Sequence, residues 1–346
     1  MTNITRARRQ ALVGAIRWDG WFGDLSSVGL MVEKTLGPKH WHGRLPFFAQ
    51  IDSDSSVRVR GNTQSVVDQE IDFAAEAGLD YWAFVIYPPD DPLSAGLRLY
   101  LSSAHKPRLN FCLNIQGGWL GGEAQWPELV RLYLQYFQEP TYQKVLGDRP
   151  LVYLFTPADM LGAGKFSSEG FARQAFDHLR EASQLAGLGN PYLVIQDWSP
   201  ATAHAYCETL GGDAVSAYAS DARGQAAAYA VLARHTEAWW DQFAATGCPV
   251  VPLATAGWDP RPRIETPTPW FDYGSAAYYH LPPTPPELAQ HVQAALHWVQ
   301  THPQTAEANA VLIYAWNEFD EGGWLAPTLS EGTARLDALQ SILSKR

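Results

Sequence analysis

The chain has 346 residues, 46% of them apolar and only 18% charged, which is enough to bury a sizeable core and too apolar for a disordered chain. Its formal net charge of -11 disfavours nucleic acid and anionic membrane as partners, since both need basic patches. A neutral ligand such as a sugar is compatible with that charge.

Short apolar runs alternate along the chain with longer amphipathic ones. "ALVGAIRW" (11–18) reads as the first strand, and a long polar loop follows it. The helix over 63–78 ends on Gly78, and "LDYWAFVIYPP" (79–89) is a strand stopped by two prolines. A helix over 92–105, a strand over 108–116 and a helix over 126–138 come next. They are followed by a strand over 149–156, a helix over 168–187 and a strand over 191–198. The helix over 199–211 opens with a Ser cap and a Pro at the next position. The beat continues through a strand over 213–220, a helix over 225–247 and a strand over 249–257. A Pro-rich loop then leads to a helix over 284–302, a strand over 309–316 and a helix over 333–343.

Eight strand–helix pairs predict an α/β fold with parallel pairing and right-handed crossovers, a single (β/α)8 TIM barrel with loop insertions at its C-terminal face. A doubly wound open sheet is the rival. It calls for a nucleotide loop, and no G-x-G-x-x-G or G-x-x-x-x-G-K-[ST] follows any strand. No linker divides the chain, so residues 1–346 are expected to form one catalytic domain. The three cysteines, Cys112, Cys207 and Cys248, contain no C-x-x-C, so neither a zinc site nor a redox motif is suggested. No apolar run approaches a membrane span, and "ALVGAI" is short for the core of a signal peptide; a cytoplasmic home with no membrane partner is expected.

In such a barrel, function sits at the C-terminal ends of the strands. The candidates there are Trp18, Asp19 and Trp21 after strand one, Tyr87 after strand two, and Gln116 and Trp119 after strand three. Gln196, Asp197 and Trp198 end strand five, Tyr218 ends strand six, and Trp258 and Asp259 follow strand seven. Trp316, Asn317 and Trp324 flank the last strand end, and all of these are expected to bind substrate. Indole faces stack on sugar rings, so the chain's 14 tryptophans suit a carbohydrate ligand where they gather at the rim. Trp239 and Trp298 lie on helices and are assigned to packing. Arg261 and Arg263 either bind an anionic substituent or brace their loop, and His280 precedes a proline loop that can line the cleft.

The segment "YAWNEFDEGGW" (314–324) puts Glu318, Asp320 and Glu321 between two tryptophans. If the chain turns helically there, Glu318 and Glu321 share a face with Cβ atoms roughly 5–6 Å apart. Carboxylates that close cannot both ionise freely, so one pKa rises. A protonated carboxyl beside an ionised one is what acid–base cleavage of a glycosidic bond requires. Both are taken as catalytic. Gly322 and Gly323 would let a ligand approach the backbone. Asp320 points away from the pair in a helical turn and is read as a solvent or capping residue. A solvated acidic loop is the alternative reading of the whole segment.

"IYAWNEFDEGGWLAP" resembles the N-E-W-x-E-G segment of glycoside hydrolase family 99 and of the related WbsX-type proteins. "QEIDFAAEAGLDYWAFVIY", "YFQEPTYQKVLGDRPLVYLF" and "GWDPRPR" are similar to other pieces of that group in the same order. The resemblance implies a metal-independent (β/α)8 hydrolase that needs no cofactor and retains configuration at α-mannoside-like linkages. It implies that Glu318 deprotonates the sugar 2-hydroxyl, which closes a 1,2-anhydro intermediate, while Glu321 serves as acid and then base. Phe319 stands where the motif has Trp, Asp320 where relatives often have His, and Ala326 where they often have Glu. These departures leave the paired glutamates intact, and the resemblance does not extend to mannose specificity. An oligosaccharide or polysaccharide is the expected partner. The alternatives are a non-catalytic sugar-binding barrel and a WbsX-type role in polysaccharide assembly. His40 and His42 ("HWH") prompt a metallohydrolase reading, but they sit in a loop well beyond strand one, so no metal is assigned.

Overall fold

The computed structural model describes residues 10–223, 226–274 and 278–344. The barrel strands are β1 (Leu12–Arg17), β2 (Tyr81–Ile86), β3 (Asn110–Gln116), β4 (Arg149–Phe155), β5 (Tyr192–Gln196), β6 (Ala214–Ser216), β7 (Leu253–Thr255) and β8 (Ala310–Tyr314). The helices that follow them are α1 (Gln64–Glu76), α2 (Ala95–Ser102), α3 (Trp126–Gln138), α4 (Glu169–Leu185), α5 (Pro200–Leu210), α6 (Tyr229–Ala244), α7 (Pro285–Thr301) and α8 (Ala334–Leu343). Each strand from β1 to β5 pairs in parallel with the next, β7 pairs with β8, and β8 returns to β1 with Ala310 opposite Leu12. This is the (β/α)8 barrel.

The seam between β6 and β7 is the thinnest part of the wall. Among the described residues it is closed by one bridge, Val215 to Val250. Val215 N donates to Pro249 O at 2.9 Å and Val251 N to Val215 O at 3.1 Å. Pro249 and Pro252 have no N–H to extend this ladder.

Inside the barrel, Tyr81 and Tyr153 share a hydroxyl–hydroxyl bond of 2.8 Å. Gly14 makes room for them, since a Cβ there would come within 2.2 Å of the Tyr81 ring. Side-chain oxygens cap the starts of α1 (Thr63), α4 (Ser168), α5 (Ser199) and α7 (Thr284), and Glu287 completes a capping box at Thr284.

Three expectations are corrected. The stretch after β1 is not a plain polar loop: it holds a helix (Ser27–Thr35), a 3-10 turn (Lys39–Arg44) and a hairpin (Ala49–Ser53 with Ser56–Val59). These short elements are held by distant partners, such as Glu33 accepting from Val59 N at 2.8 Å. The loop after β7 contains a short helix, Arg261–Glu265. The predicted strand over 249–257 shortens to Leu253–Thr255, because of the prolines just before it. Residues 1–9, on which the reading of the N-terminus partly rests, and Gln225, in the predicted sixth helix, lie outside the described residues. Among the described residues, no helix is long and apolar enough to cross a membrane.

Candidate active site

Beyond β8 the chain makes a tight hairpin, not a helical turn. Asn317–Glu318 pairs antiparallel with Gly323–Trp324, and Glu321 N donates to Glu318 O at 3.2 Å across the turn. The condition set for bringing the glutamates together is therefore not met, yet they meet all the same, on Arg263. Its Nη2 lies 3.1 Å from Glu318 Oε2, and its Nη1 donates to Glu321 Oε1. Both glutamates are buried, at 3% and 7% exposure. Tyr218 donates to Glu318 Oε1 at 3.2 Å. Tyr273 and Tyr314 donate to the two oxygens of Glu321.

Asp320 is not a solvent or capping residue. It is wholly buried, 2.7 Å from Arg263 Nη2, and accepts from the Thr35 hydroxyl at 2.9 Å. One guanidinium thus faces three carboxylates. Burial works against its charge, but Asp320, Glu321, Tyr273 and Glu318 outweigh that and hold Arg263 protonated. The Glu318 carboxyl stands well above the ordinary range, through burial first and the neighbouring Glu321 charge second, with Arg263 opposing both. Burial also raises the Tyr218, Tyr273 and Tyr314 hydroxyls, so these rings act as donors.

Gly322 and Gly323 are corrected as well. A Cβ on Gly322 would come within 2.5 Å of Asp259 N, and one on Gly323 within 2.4 Å of the Tyr314 ring. Gly322 also has φ of 87°, which favours glycine. These glycines admit the neighbouring β7 loop and Tyr314, not a ligand.

The tryptophans divide into two sets. Trp18 lies against the site: the Arg263 guanidinium sits 5.2 Å from its ring, and its N–H donates to the Tyr87 hydroxyl at 2.9 Å. Tyr87 in turn donates to Gln116 Oε1 at 3.4 Å and packs edge-on against Trp119. Trp119 and Trp198 are exposed at the rim, at 46% and 39%, with Trp258 packed against Trp198. Trp316 and Trp324, by contrast, are core residues, which corrects their placement as substrate contacts. Trp316 is fully buried on Trp82 and gives its N–H to Glu70 at 3.0 Å. Trp324 lies under Arg335, whose guanidinium is 3.8 Å from its ring. Trp21 is likewise buried and spends its N–H on Asn317 O at 2.7 Å.

Several polar candidates brace loops. Asn317 clamps both backbone groups of Trp18, at 3.0 and 2.7 Å. Asp259 is paired with Arg44 and with Arg261, so Arg261 braces its own loop. Asp19 pairs with Arg17, which also holds Glu70; burial, opposed by Arg17, raises Asp19 to about 6. Gln196 faces inward and donates to Ala217 O at 3.1 Å. Asp197 accepts from Ser199 N at 2.9 Å, and partial burial raises its carboxyl. His280 is buried, and its backbone N–H donates to Trp258 O. His40 pairs with Glu265 and His42 with Gly37 O, each at 2.8 Å.

Sequence reasoning missed Tyr273, Tyr314 and the exposed Trp270, which packs 6.4 Å from Trp18. Tyr314 was findable, as the last residue of a strand whose mouth carries the acids. Tyr273 sits in a loop without periodicity and left no signal.

A (β/α)8 barrel with a buried, tyrosine-ringed glutamate pair at the end of β8 is the architecture of this protein. The chain belongs to the family described as "Glycosyltransferase WbsX", whose model matches residues 121–339. Among solved structures it is similar to the GH99 endo-alpha-mannosidase of Bacteroides thetaiotaomicron, in complex with bis-Tris propane, at TM-score 0.62 and 14% identity, covering 96% of this chain and 97% of that one. A second structure of that enzyme matches at TM-score 0.58, with the same identity and coverage. No curated protein matches the sequence.

Proposed function

We propose that the protein is a glycoside hydrolase that cleaves an α-linked glycan with retention, using Glu318 and Glu321 and no enzyme nucleophile. The observation that carries this is the pair itself: two buried carboxylates joined through one arginine, ringed by three tyrosines, at the mouth of a barrel whose rim exposes tryptophans. Burial and the Glu321 charge push Glu318 above the ordinary carboxylate range, so the pair's proton rests on Glu318 in the free site; substrate, on displacing Arg263 and Tyr273 from Glu321, moves that proton to Glu321 and leaves Glu318 as the base. Glu318 takes the 2-hydroxyl proton as that oxygen attacks C1. The bond from C1 to the leaving oxygen breaks, and Glu321 delivers a proton to that oxygen. Glu321 then accepts a proton from water as the water opens the 1,2-anhydro ring at C1, and Glu318 returns its proton to the 2-oxygen. The leaving oxygen replaces Arg263 and Tyr273 as the partner of Glu321 Oε1.

The site holds three carboxylates against one arginine. An anionic sugar is repelled there, and a neutral sugar or an amine is accepted. The similar mannosidase structure holds bis-Tris propane, a diamine, and the same compound is expected to compete with substrate here.

The family description favours a second reading, in which a sugar hydroxyl replaces water as acceptor. Product analysis on a panel of α-linked oligosaccharides separates the two. Wild type is expected to release shorter products, and Glu318→Gln and Glu321→Gln to lose at least about 100-fold in rate. Longer products would establish transfer, and cleavage that survives both substitutions would move the chemistry off the pair.

A further inference from the structure

Two of the three cysteines lie together at the opposite end of the barrel from the glutamates. Cys207 is on the inner side of α5, 4% exposed, with its thiol directed toward Ala214 O at the start of β6. Cys248 is half-buried in the segment that leads from α6 into β7. The two thiols are neighbours, close enough for Cys248 to help raise the Cys207 thiol. His204, one turn before Cys207 on α5, places Nδ1 3.2 Å from Cys248 Sγ. Its other ring nitrogen lies 3.7 Å from Glu208 Oε1. Cys248 therefore has a base beside it, and that base has a carboxylate behind it, which is the arrangement that activates a nucleophilic thiol. Cys112, by contrast, is wholly buried in β3.

We propose that Cys248 is a peroxide-reactive thiol, assisted by His204, and that Cys207 resolves it to a Cys207–Cys248 disulfide. The balance is complete with hydrogen peroxide as oxidant. His204 accepts the Cys248 proton, and the thiolate attacks one peroxide oxygen. The O–O bond breaks, Cys248 becomes a sulfenic acid, and the departing hydroxide takes the proton from His204 as water. The Cys207 sulfur then displaces the sulfenic oxygen, which leaves as a second water. Two thiols are oxidised and one peroxide is reduced.

The roles of the two cysteines follow from their surroundings. Burial, reinforced by Cys248, pushes the Cys207 thiol up to about 12, so Cys207 stays protonated and does not react first. Cys248, being half-buried, is the one a small oxidant reaches. Among the described residues, no group of three or more His, Cys, Asp or Glu side chains is arranged to hold a metal ion, so the cluster is not read as a metal site. The position gives the bond a structural consequence. It ties α5 to the entry of β7, beside the seam that a single bridge between Val215 and Val250 closes. A covalent link there fastens the barrel where strand pairing contributes least.

The test treats the full chain with dilute hydrogen peroxide at neutral pH, then alkylates remaining thiols under denaturing conditions and maps peptides without reduction. The expected product joins the Cys207 and Cys248 peptides and leaves Cys112 alkylated. Cys207→Ser should stop at a Cys248 sulfenic acid that dimedone captures, and Cys248→Ser should form neither species. His204→Gln, with an unchanged circular dichroism spectrum, should slow the reaction of Cys248 roughly tenfold, through loss of the neighbouring base. Oxidation should raise the unfolding temperature of wild type and not of Cys207→Ser. The proposal fails if no linked peptide forms, if Cys112 reacts as fast as Cys248, or if His204→Gln leaves the rate unchanged.

Discussion

Arg263→Met tests the electrostatic account of the site. The substitution keeps most of the length of the side chain and removes the charge that three carboxylates share. The ion-paired side chains are almost wholly buried, at 4% for Glu318, 0% for Asp320 and 10% for Glu321. Removing one partner of a buried pair costs about 3–5 kcal/mol, because the other charge is left without compensation. The same figure follows from protonation. The variant can relieve the strain by binding a proton on one carboxylate, whose unfolded value is about 4.3. At pH 7 that costs about 1.36 × 2.7, or ~4 kcal/mol, and at pH 5 only ~1 kcal/mol. The sign follows from the direction of the shift. A carboxylate whose folded pKa is raised contributes stability that is present below its unfolded pKa and lost as pH rises through the folded one. Glu318 is already such a group in wild type, so the proton that the variant gains falls on Glu321 or Asp320. Urea unfolding of both proteins, followed by tryptophan fluorescence at pH 7 and pH 5, should show a penalty near 4 kcal/mol that shrinks toward 1. A penalty below about 1 kcal/mol at pH 7, or one that does not change with pH, would refute the account.

The remaining predictions use other parts of the molecule. Trp119→Ala and Trp198→Ala should each raise KM about tenfold with kcat and unfolding temperature little changed, since both rings are partly exposed at the rim; an unchanged KM removes them from the substrate path. Asp19 is raised from 3.8 to about 6, so its contribution is lost as pH rises through 6. Relative to wild type, Asp19→Asn should gain roughly 2.5 kcal/mol of stability between pH 4 and pH 7, and a flat difference in urea unfolding contradicts the shift. Gly14→Ala places a methyl 2.2 Å from the Tyr81 ring and should cost about 1–3 kcal/mol, read as a lowered unfolding temperature; an unaffected midpoint would mean that the Tyr81–Tyr153 pair moves freely.

The barrel was legible because its strands are covered on both faces. A strand buried on both sides reads as a continuous apolar run, as in "YWAFVI" or "YLVIQ", and such runs stand out between amphipathic helices. The region between β1 and α1 followed no such rule. The helix Ser27–Thr35 and the hairpin over 49–59 are short, and contacts far along the chain hold them, the Thr35 hydroxyl on Asp320 among them. Propensity within a short window carries no record of a partner 285 residues away.

The site was legible where its chemistry is local and illegible where it is not. Three acids within four residues at a strand end mark a place, and the structure puts all three on one arginine. That arginine comes from the β7 loop, 55 residues before Glu318, and the sequence left open whether it braces the loop or binds a ligand. Counting tryptophans near strand ends was a weaker guide, because proximity along the chain does not say which way a ring points. After β8 the chain stays against β1, with Trp316 N donating to Ile16 O at 2.6 Å. The Trp316 ring therefore turns into the core on Trp82, while the neighbouring Asn317–Glu318 pair begins the hairpin that faces Arg263. Trp119 ends the 3-10 turn Gly117–Trp119 after β3, and Trp198 follows Asp197, whose N–H still donates to Ser216 O of β6, and the rings of both stay at the surface. What separates a substrate platform from a core ring at this rim is the backbone path just after the strand, and that path is set by hydrogen bonds to a neighbouring strand hundreds of residues away.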